Sequence, residues 1–247
     1  MRVFLSADVP RLEERIIKRV AGRPRGGLLD PVLILVPTRR LGIRLKRQIV
    51  RRLRAVLGVH ILTHRGLVHR VLDGARAAPL RVLSRTARAS IVEGLAGDLA
   101  GPAGDHLRAF QGARAAIVET LDELRQAGVG AEDLEAVEES RGDESGILAG
   151  LLRRYSLAVE RLEASGWTDD AGLQKAALPH LRPWLQQKGI RAVVHHGSYE
   201  LVGRHLDLLC EAALEVETEV LVPAGASGAA FAYARRLVER LGVEVEP

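Results

Sequence analysis

Residues 32–57 read VLILVPTRRLGIRLKRQIVRRLRAVL. The first five are aliphatic and stop at Pro37, which is typical of a short strand buried on both faces of a parallel sheet. Thr38 can then cap a helix over 39–56, because its hydroxyl can accept a hydrogen bond from a first-turn N–H group. Leucines and isoleucines recur on one face of this helix, and arginines occupy the other. The segment therefore predicts a buried strand followed by a helix with a basic outer face.

Similar strand and helix patterns lie on both sides of this segment. Strands are predicted at Val3–Ser6 and Val59–Thr63, and a helix over 11–21 follows Pro10, a residue suited to a first helical turn. The same alternation returns near the end of the chain, with strands at 191–195 and 217–222 and helices at 202–213 and 229–241. Alternating strands and helices predict an α/β fold with a parallel sheet of about five strands and helices on both faces.

The middle of the chain has a different pattern, because β-branched runs disappear and long amphipathic patterns replace them. Helices are predicted at 86–99, 106–127, 147–165 and 170–188, with loops at 101–104 and 140–143. These features predict an α/β domain formed by residues 1–79 and 187–247. An all-helical domain, residues 80–186, is inserted between its two parts.

Positive charge is concentrated near the amino terminus. The chain has 36 Lys and Arg and 31 Asp and Glu, but residues 1–79 hold 18 basic and only 5 acidic residues. A basic segment in an otherwise acidic chain is the electrostatic signature of a protein that binds a polyanion. The alternative is a solvated helix face with no ligand.

Composition excludes several other classes of protein. The single cysteine, Cys210, can form no internal disulfide, and no four-residue Cys/His metal site can be built around it. No signal-type apolar run and no apolar stretch of about 20 residues occurs. We therefore expect a cytoplasmic protein with no membrane association.

Two motifs resemble those of superfamily 1 helicases. The run from Val32 to Arg47 looks like the motif on the second strand of that family, and the run from Ile61 to Leu72 looks like the motif on the third. The resemblance implies a P-loop-NTPase-like sheet, with a helical subdomain inserted after the third strand. It also implies that Thr38, Arg39 and Arg40 contact single-stranded DNA after the second strand. Arg44 on the same helix, and Thr63 and His64 after the third strand, complete the predicted DNA contacts.

The motor residues of that family are missing. A phosphate loop needs the pattern Gly-x-x-x-x-Gly-Lys-Ser/Thr, whereas residues 6–12 read SADVPRL and contain neither Gly nor Lys. Asp8 places a carboxylate where phosphates would lie, and Pro10 removes an N–H donor. The fourth strand should end in an acidic pair that binds magnesium, but it continues as HHGSYEL, in which Glu200 is the only acid. We therefore expect no bound ATP or Mg²⁺ and no catalytic residue in this segment.

This combination is similar to the helicase-like amino-terminal region of the B subunit of bacterial AddAB-type helicase-nucleases, within the PD-(D/E)XK nuclease family proteins. The resemblance implies a non-motor domain that handles DNA in recombination or repair, as part of a helicase and exonuclease subunit. It implies three partners: single-stranded DNA or a forked duplex, a motor helicase-nuclease subunit, and further carboxyl-terminal domains. Two alternatives stay open, namely an active nucleotide hydrolase with an atypical phosphate site and a protein-interaction scaffold without DNA contact.

Other polar and aromatic residues have simpler interpretations. Adjacent histidines His195 and His196 point to opposite faces of a strand, so they cannot easily share a metal, even if His205 approaches one of them. Core packing is expected for four aromatic residues assigned to the helical insert, although such side chains can also stack bases; they are Phe110, Tyr155, Trp167 and Trp184. The acidic pairs at 138–139 and 169–170 could serve as acid and base, but a helix cap at Asp169 or Asp170 is the simpler interpretation.

Overall fold

The computed structural model describes residues 1–22, 30–54, 56–140, 146–197, 201, 203–224, 228–243 and 245–246. The chain divides into two compact units. Unit 1 comprises Met1–Arg76, Ala177–Leu201 and His205–Pro247, and unit 2 comprises Ala77–Ala176 and Val202–Arg204. Within the described ranges, no helix is long and apolar enough to cross a membrane.

Unit 1 is built on a parallel sheet of six strands. The strands are β1 (Arg2–Ser6), β2 (Val32–Val36), β3 (Val59–Thr63), β6 (Ala192–His196), β7 (Glu217–Pro223) and β8 (Val245–Glu246). Their order across the sheet is β3-β2-β6-β7-β1-β8, and every pair is parallel. The predicted α/β class with a parallel sheet is therefore confirmed, and β2 and β3 have the predicted bounds.

The helices of unit 1 pack on both faces of this sheet. They are α1 (Val9–Ala21), α2 (Arg39–Leu53), α3 (His64–Gly74), α10 (Arg204–Ala213) and α11 (Ala229–Leu241), together with the second half of α9 (Asp170–Gln187). Val32, Ile34 and Val36 alternate along β2 toward a core shared with α1 and α2. Leu33 and Leu35 lie on the opposite face and are equally buried. Because both faces of β2 are covered, its five residues are all apolar.

Unit 2 is helical apart from one short strand pair, as far as the structure describes it. Its helices are α4 (Arg85–Gly97), α5 (Gly101–Ala109), α6 (Gln111–Ala127), α7 (Ala131–Ser140), α8 (Ile147–Glu163) and the first half of α9. Strands β4 (Arg81–Val82) and β5 (Trp167–Thr168) pair in parallel. Val92, Leu121 and the fully buried Tyr155 belong to its core. Asp169 accepts a hydrogen bond from the N–H of Gly172 at 2.7 Å, so the predicted amino-terminal cap of α9 is confirmed.

The structure differs from the sequence-based prediction in several details, and the predicted helix over 106–127 is divided at Phe110 into α5 and α6. Residues 101–104 are not a loop, because α5 begins at Gly101 and Pro102 occupies its first turn, where a missing N–H costs nothing. Helices α3 and α7 were not predicted. Trp184 belongs to unit 1 and not to the helical segment. The predicted loop at 140–143 lies largely outside the described residues.

The boundaries of the compact units lie close to the predicted domain boundaries at the first position but not at the second. Unit 1 ends at Arg76 in its first segment, close to the predicted boundary after residue 79. It resumes at Ala177, inside α9, whereas the predicted boundary follows residue 186. That residues 80–186 form an inserted domain therefore stays a prediction.

Candidate nucleic-acid interface

Polar caps mark the carboxyl edge of the sheet, where strands pass into helices. Thr38 follows β2, and its Oγ1 accepts a hydrogen bond from the N–H of Leu41 at 3.2 Å. Thr63 ends β3 and accepts from the N–H of Gly66 at 3.1 Å. Since β2 and β3 are neighbours in a parallel ladder, both hydroxyls lie at the same edge of the sheet. A hydroxyl that accepts one such bond still has a proton to donate, so each can cap a helix and also contact a phosphate.

The first two residues of α2 are exposed arginines. Arg39 and Arg40 directly follow the capping residue Thr38. Neither forms an ion pair with any residue that the structure describes. At this end of the helix, unpaired N–H groups and the helix dipole also favour an anion. The structure thus brings together four of the six residues predicted to contact DNA.

Further exposed cations continue along α2 toward its carboxyl end. We call the whole set the basic face of α2, and its members are Arg39, Arg40, Lys46, Arg47, Arg51 and Arg52. Among the described parts of the chain, no carboxylate pairs with any of them. Two aliphatic side chains, Ile43 and Val50, are also exposed on this helix. The positive charge of α2 is therefore available to a ligand.

Arg44 is the exception on this helix. Its Nη2 lies 2.9 Å from Oε1 of Glu13, a residue of α1 that is 3% exposed. Gln48 donates a hydrogen bond, at 2.8 Å, to the other oxygen of the same carboxylate. The guanidinium of Arg44 is thus already engaged by a buried carboxylate and joins α1 to α2. This role is primarily structural, although much of the side chain stays exposed.

His64 is buried, unlike the other predicted contacts. Its ring centroid lies 5.1 Å from that of His195 and 4.3 Å from that of His205. Burial and the nearby His205 lower the pKa of His64 to about 3, so the ring is neutral at pH 7. A buried neutral ring presents no charge to a phosphate, and we omit His64 from the proposed interface.

The structure places His64, His195 and His205 in one histidine cluster; sequence reasoning considered an approach of His205 to the adjacent histidines but missed His64. His195 is fully buried, and neither of its ring nitrogens has a hydrogen-bond partner among the described residues. Burial is the main cause that lowers its pKa, and the neighbouring histidines lower it further. Within the described residues, no group of histidine, cysteine or carboxylate side chains is arranged to hold a metal ion. The available signal was the position of His64 and His195 at the ends of two strands that share β2 as a neighbour.

The predicted aromatic residues divide between core and surface. Tyr155 and Trp184 are buried, as expected for core packing. Phe110 and Trp167 are exposed, and each has a neighbour within its own unit: Phe110 packs beside the ring of His106, and Trp167 lies beneath the guanidinium of Arg81. No exposed aromatic residue lies on α2, so this helix offers no platform for stacking bases.

The stretch that matches a phosphate loop is occupied by its own carboxylate. Asp8 caps α1, and its Oδ1 accepts a hydrogen bond from the N–H of Arg11 at 3.3 Å. Its own N–H donates to Oγ of Ser6 at 3.1 Å. Pro10 lies in the first turn, as the sequence predicts. The carboxylate of Asp8 therefore occupies the amino-terminal end of α1, while Glu200 lies outside the described residues.

Comparison with known proteins gives no family for this chain: no family model and no curated protein matches it.

Replacing Arg44 should destabilise unit 1, because Glu13 would keep its buried carboxylate and lose its cationic partner. We expect Arg44→Met to lower the free energy of unfolding by about 1–3 kcal/mol. Arg47→Met, one turn further along the same exposed helix, is the matched control and should shift it by less than about 0.5 kcal/mol. Urea denaturation followed by circular dichroism measures both. Equal effects would show that the ion pair with Glu13 contributes nothing.

Acidification should destabilise the fold through the buried histidines. The pKa values of His64, His195 and His196 are lowered in the folded state, chiefly by burial. Below the ordinary pKa of 6.5 the unfolded chain therefore binds protons that the folded chain does not. From pH 7.5 to 5.5, each histidine that stays neutral when folded should cost about 1.4 kcal/mol of stability.

His195→Leu tests this expectation, since leucine fits an apolar environment and cannot titrate. Its free energy of unfolding should fall less steeply than that of the wild type between pH 7.5 and 5.5. Leu67→Ala, in the core beside the cluster, should lower stability by the same amount at both pH values. An unchanged slope in His195→Leu would contradict the assignment.

Proposed function

We propose that unit 1 is a non-motor, helicase-like module that binds the sugar-phosphate backbone of DNA through the amino-terminal end of α2. The observation that carries the proposal is the exposed pair Arg39 and Arg40 at the start of the basic face of α2, since neither has a carboxylate partner among the described residues. Arg39 and Arg40 at its start directly follow Thr38, and Thr63 ends the neighbouring strand at the same edge of the sheet. Guanidinium and hydroxyl groups hold phosphates without reading bases, so binding should be independent of sequence and sensitive to salt.

The order of features along the chain supports a helicase-like origin. Strand β2 leads into Thr38 and the basic face of α2, and β3 leads into Thr63, in agreement with the two motifs that resemble superfamily 1 helicases. A mainly helical stretch, Ala77–Ala176, then separates these elements from β6. By the same resemblance, we propose that the module acts in DNA repair or recombination, in the cytoplasm. Its partners would be a motor helicase-nuclease subunit and further carboxyl-terminal domains.

The occupied amino terminus of α1 supports the loss of motor activity. Asp8 supplies both the hydrogen-bond acceptor and the negative charge that a bound phosphate would supply. A nucleotide would have to displace this carboxylate and would meet repulsion from it. We therefore favour a DNA-binding scaffold over an active nucleotide hydrolase.

Replacing Arg39 and Arg40 together with alanine should weaken binding to single-stranded oligonucleotides equally for every sequence. The slope of log K against log salt should fall by roughly one for each lost phosphate contact. Fluorescence anisotropy of labelled oligonucleotides, at several salt concentrations, measures both quantities. Because the two side chains are exposed, stability should change by less than about 0.5 kcal/mol.

The matched control is Arg51→Ala with Arg52→Ala, which removes the same charge from the other end of α2. A specific site at the carboxyl edge of the sheet predicts little loss of affinity in this control. Equal losses in both pairs would indicate diffuse attraction instead. No binding by the wild type, even at low salt, would reject the DNA proposal and favour the protein-interaction scaffold.

Nucleotide binding distinguishes the proposal from the hydrolase alternative. With Mg²⁺ present, equilibrium dialysis should detect no saturable ATP binding at micromolar concentrations, because Asp8 occupies the amino terminus of α1. Asp8→Asn keeps a capping acceptor and removes the charge, so it shows whether repulsion alone excludes the nucleotide. Micromolar affinity or turnover in the wild type would overturn the scaffold proposal.

A further inference from the structure

Strand β3 lies at one edge of the sheet, and within the described residues its one strand partner is β2. The N–H of Val32 donates to the carbonyl of Gly58 at 2.8 Å, which establishes the phase of the parallel ladder. Because successive residues of a strand direct their amide groups to opposite sides, His60 and Leu62 face β2. The N–H and C=O groups of Val59 and Ile61 therefore point away from the sheet. These groups form a row of backbone donors and acceptors that another strand can use.

A groove of 630 Å³ runs along this edge. Its walls come from β3, from α3 and from the end of α9, and its lining residues include Leu62, Arg70, Asp73, Trp184 and Lys188. The indole of Trp184 is buried and packs so closely on Gly74 that an added Cβ there would lie 2.6 Å from its Cδ1. The groove thus places apolar surface beside backbone groups that have no strand partner among the described residues, which is the arrangement used when a peptide adds a strand to a sheet.

Charge identifies the kind of peptide that fits. Arg70 and Lys188 are exposed in the groove, and neither forms an ion pair with any residue in the described ranges. Partial burial is the main cause that lowers the pKa of His60 on β3, and the positive charges of Lys188 and Arg70 lower it further. Asp73 is the one carboxylate among the residues that line the groove. An acidic peptide is therefore favoured.

We propose that the groove binds an extended acidic segment of a partner protein, which adds to the sheet as a strand beside β3. Alternate apolar side chains of that segment enter the groove against Leu62 and Trp184, and its carboxylates meet Arg70 and Lys188. A second copy of this chain fits less well, because edge-to-edge pairing would bring these cations of both copies together. Nucleic acid fits less well because it offers no peptide backbone to continue the ladder. The proposal does not depend on DNA binding by α2.

A seven-residue peptide that alternates Glu and Val, with blocked ends, is the probe for the full chain. Hydrogen exchange followed by NMR reports directly on the mode of binding. The amides of Val59 and Ile61 should exchange more slowly with peptide bound, whereas those of His60 and Leu62, which already face β2, should not change. Binding without this alternation, or no binding at about 1 mM peptide, would overturn the proposal.

Two sets of modified peptides distinguish strand addition beside β3 from simple electrostatic attraction. One modified peptide carries N-methyl groups on its three valines, and another carries them on three of its glutamates, so the two block opposite edges of the strand. One of them should lose binding and the other should keep it. Loss in both peptides, or in neither, would contradict strand addition. A peptide with Lys in place of Glu should bind at least about tenfold more weakly.

Variants of the protein locate the site. Arg70→Glu with Lys188→Glu should weaken binding of the acidic peptide by about tenfold or more, because two attractive contacts become repulsive. Arg236→Glu with Arg240→Glu makes the same change of charge on the exposed surface of α11, outside the groove, and should have little effect. Equal effects would place the peptide elsewhere. The Arg70 and Lys188 variant should retain DNA binding, so failure here is distinguishable from failure of the proposed function.

Discussion

The hydrogen-bonded ladder on both sides of β2 is the constraint on which unit 1 depends. This strand pairs with β3 and with β6, and its buried residues reach both faces of the sheet. A parallel strand in this position has no face exposed to water, so it must be apolar, short and followed at once by a polar turn. That turn places Thr38 and the start of α2 at the edge of the sheet. The ladder also orients β3, because the pairing with β2 determines which amides of β3 face outward.

Charge is used in two different ways on the helices next to this ladder. Glu13 is buried between α1 and α2, where Arg44 forms an ion pair with one of its oxygens and Gln48 donates a hydrogen bond to the other, so this ion pair belongs to the packing of unit 1. The remaining cations of α2 stay in solvent, where holding them close together costs stability unless an anion is bound. One arginine of the helix therefore serves the fold, while its neighbours remain available to a ligand.

Much of unit 1 could be predicted from the sequence because its signals are local. An aliphatic run followed by proline and threonine identifies β2 and the cap of α2 without any knowledge of the rest. The placement of His64 could not be predicted in this way, since its burial depends on His195, which is distant in sequence and reaches it only through the strand order. The engagement of Arg44 by Glu13 likewise needs the packing of two helices. Helix α3 was missed because its pattern directly continues a strand, with no loop residue between Thr63 and His64.

Asp8 has a consequence for how unit 1 responds to its surroundings. In proteins that bind a phosphate at the start of a helix, the ligand completes the hydrogen bonds of that turn, and stability rises with ligand concentration by mass action. Here a carboxylate of the chain itself completes the first turn of α1. If unit 1 is the non-motor module proposed above, the turn after β1 keeps its shape at any nucleotide concentration. The module would then be a constant part of an assembly rather than one that changes with each cycle of hydrolysis.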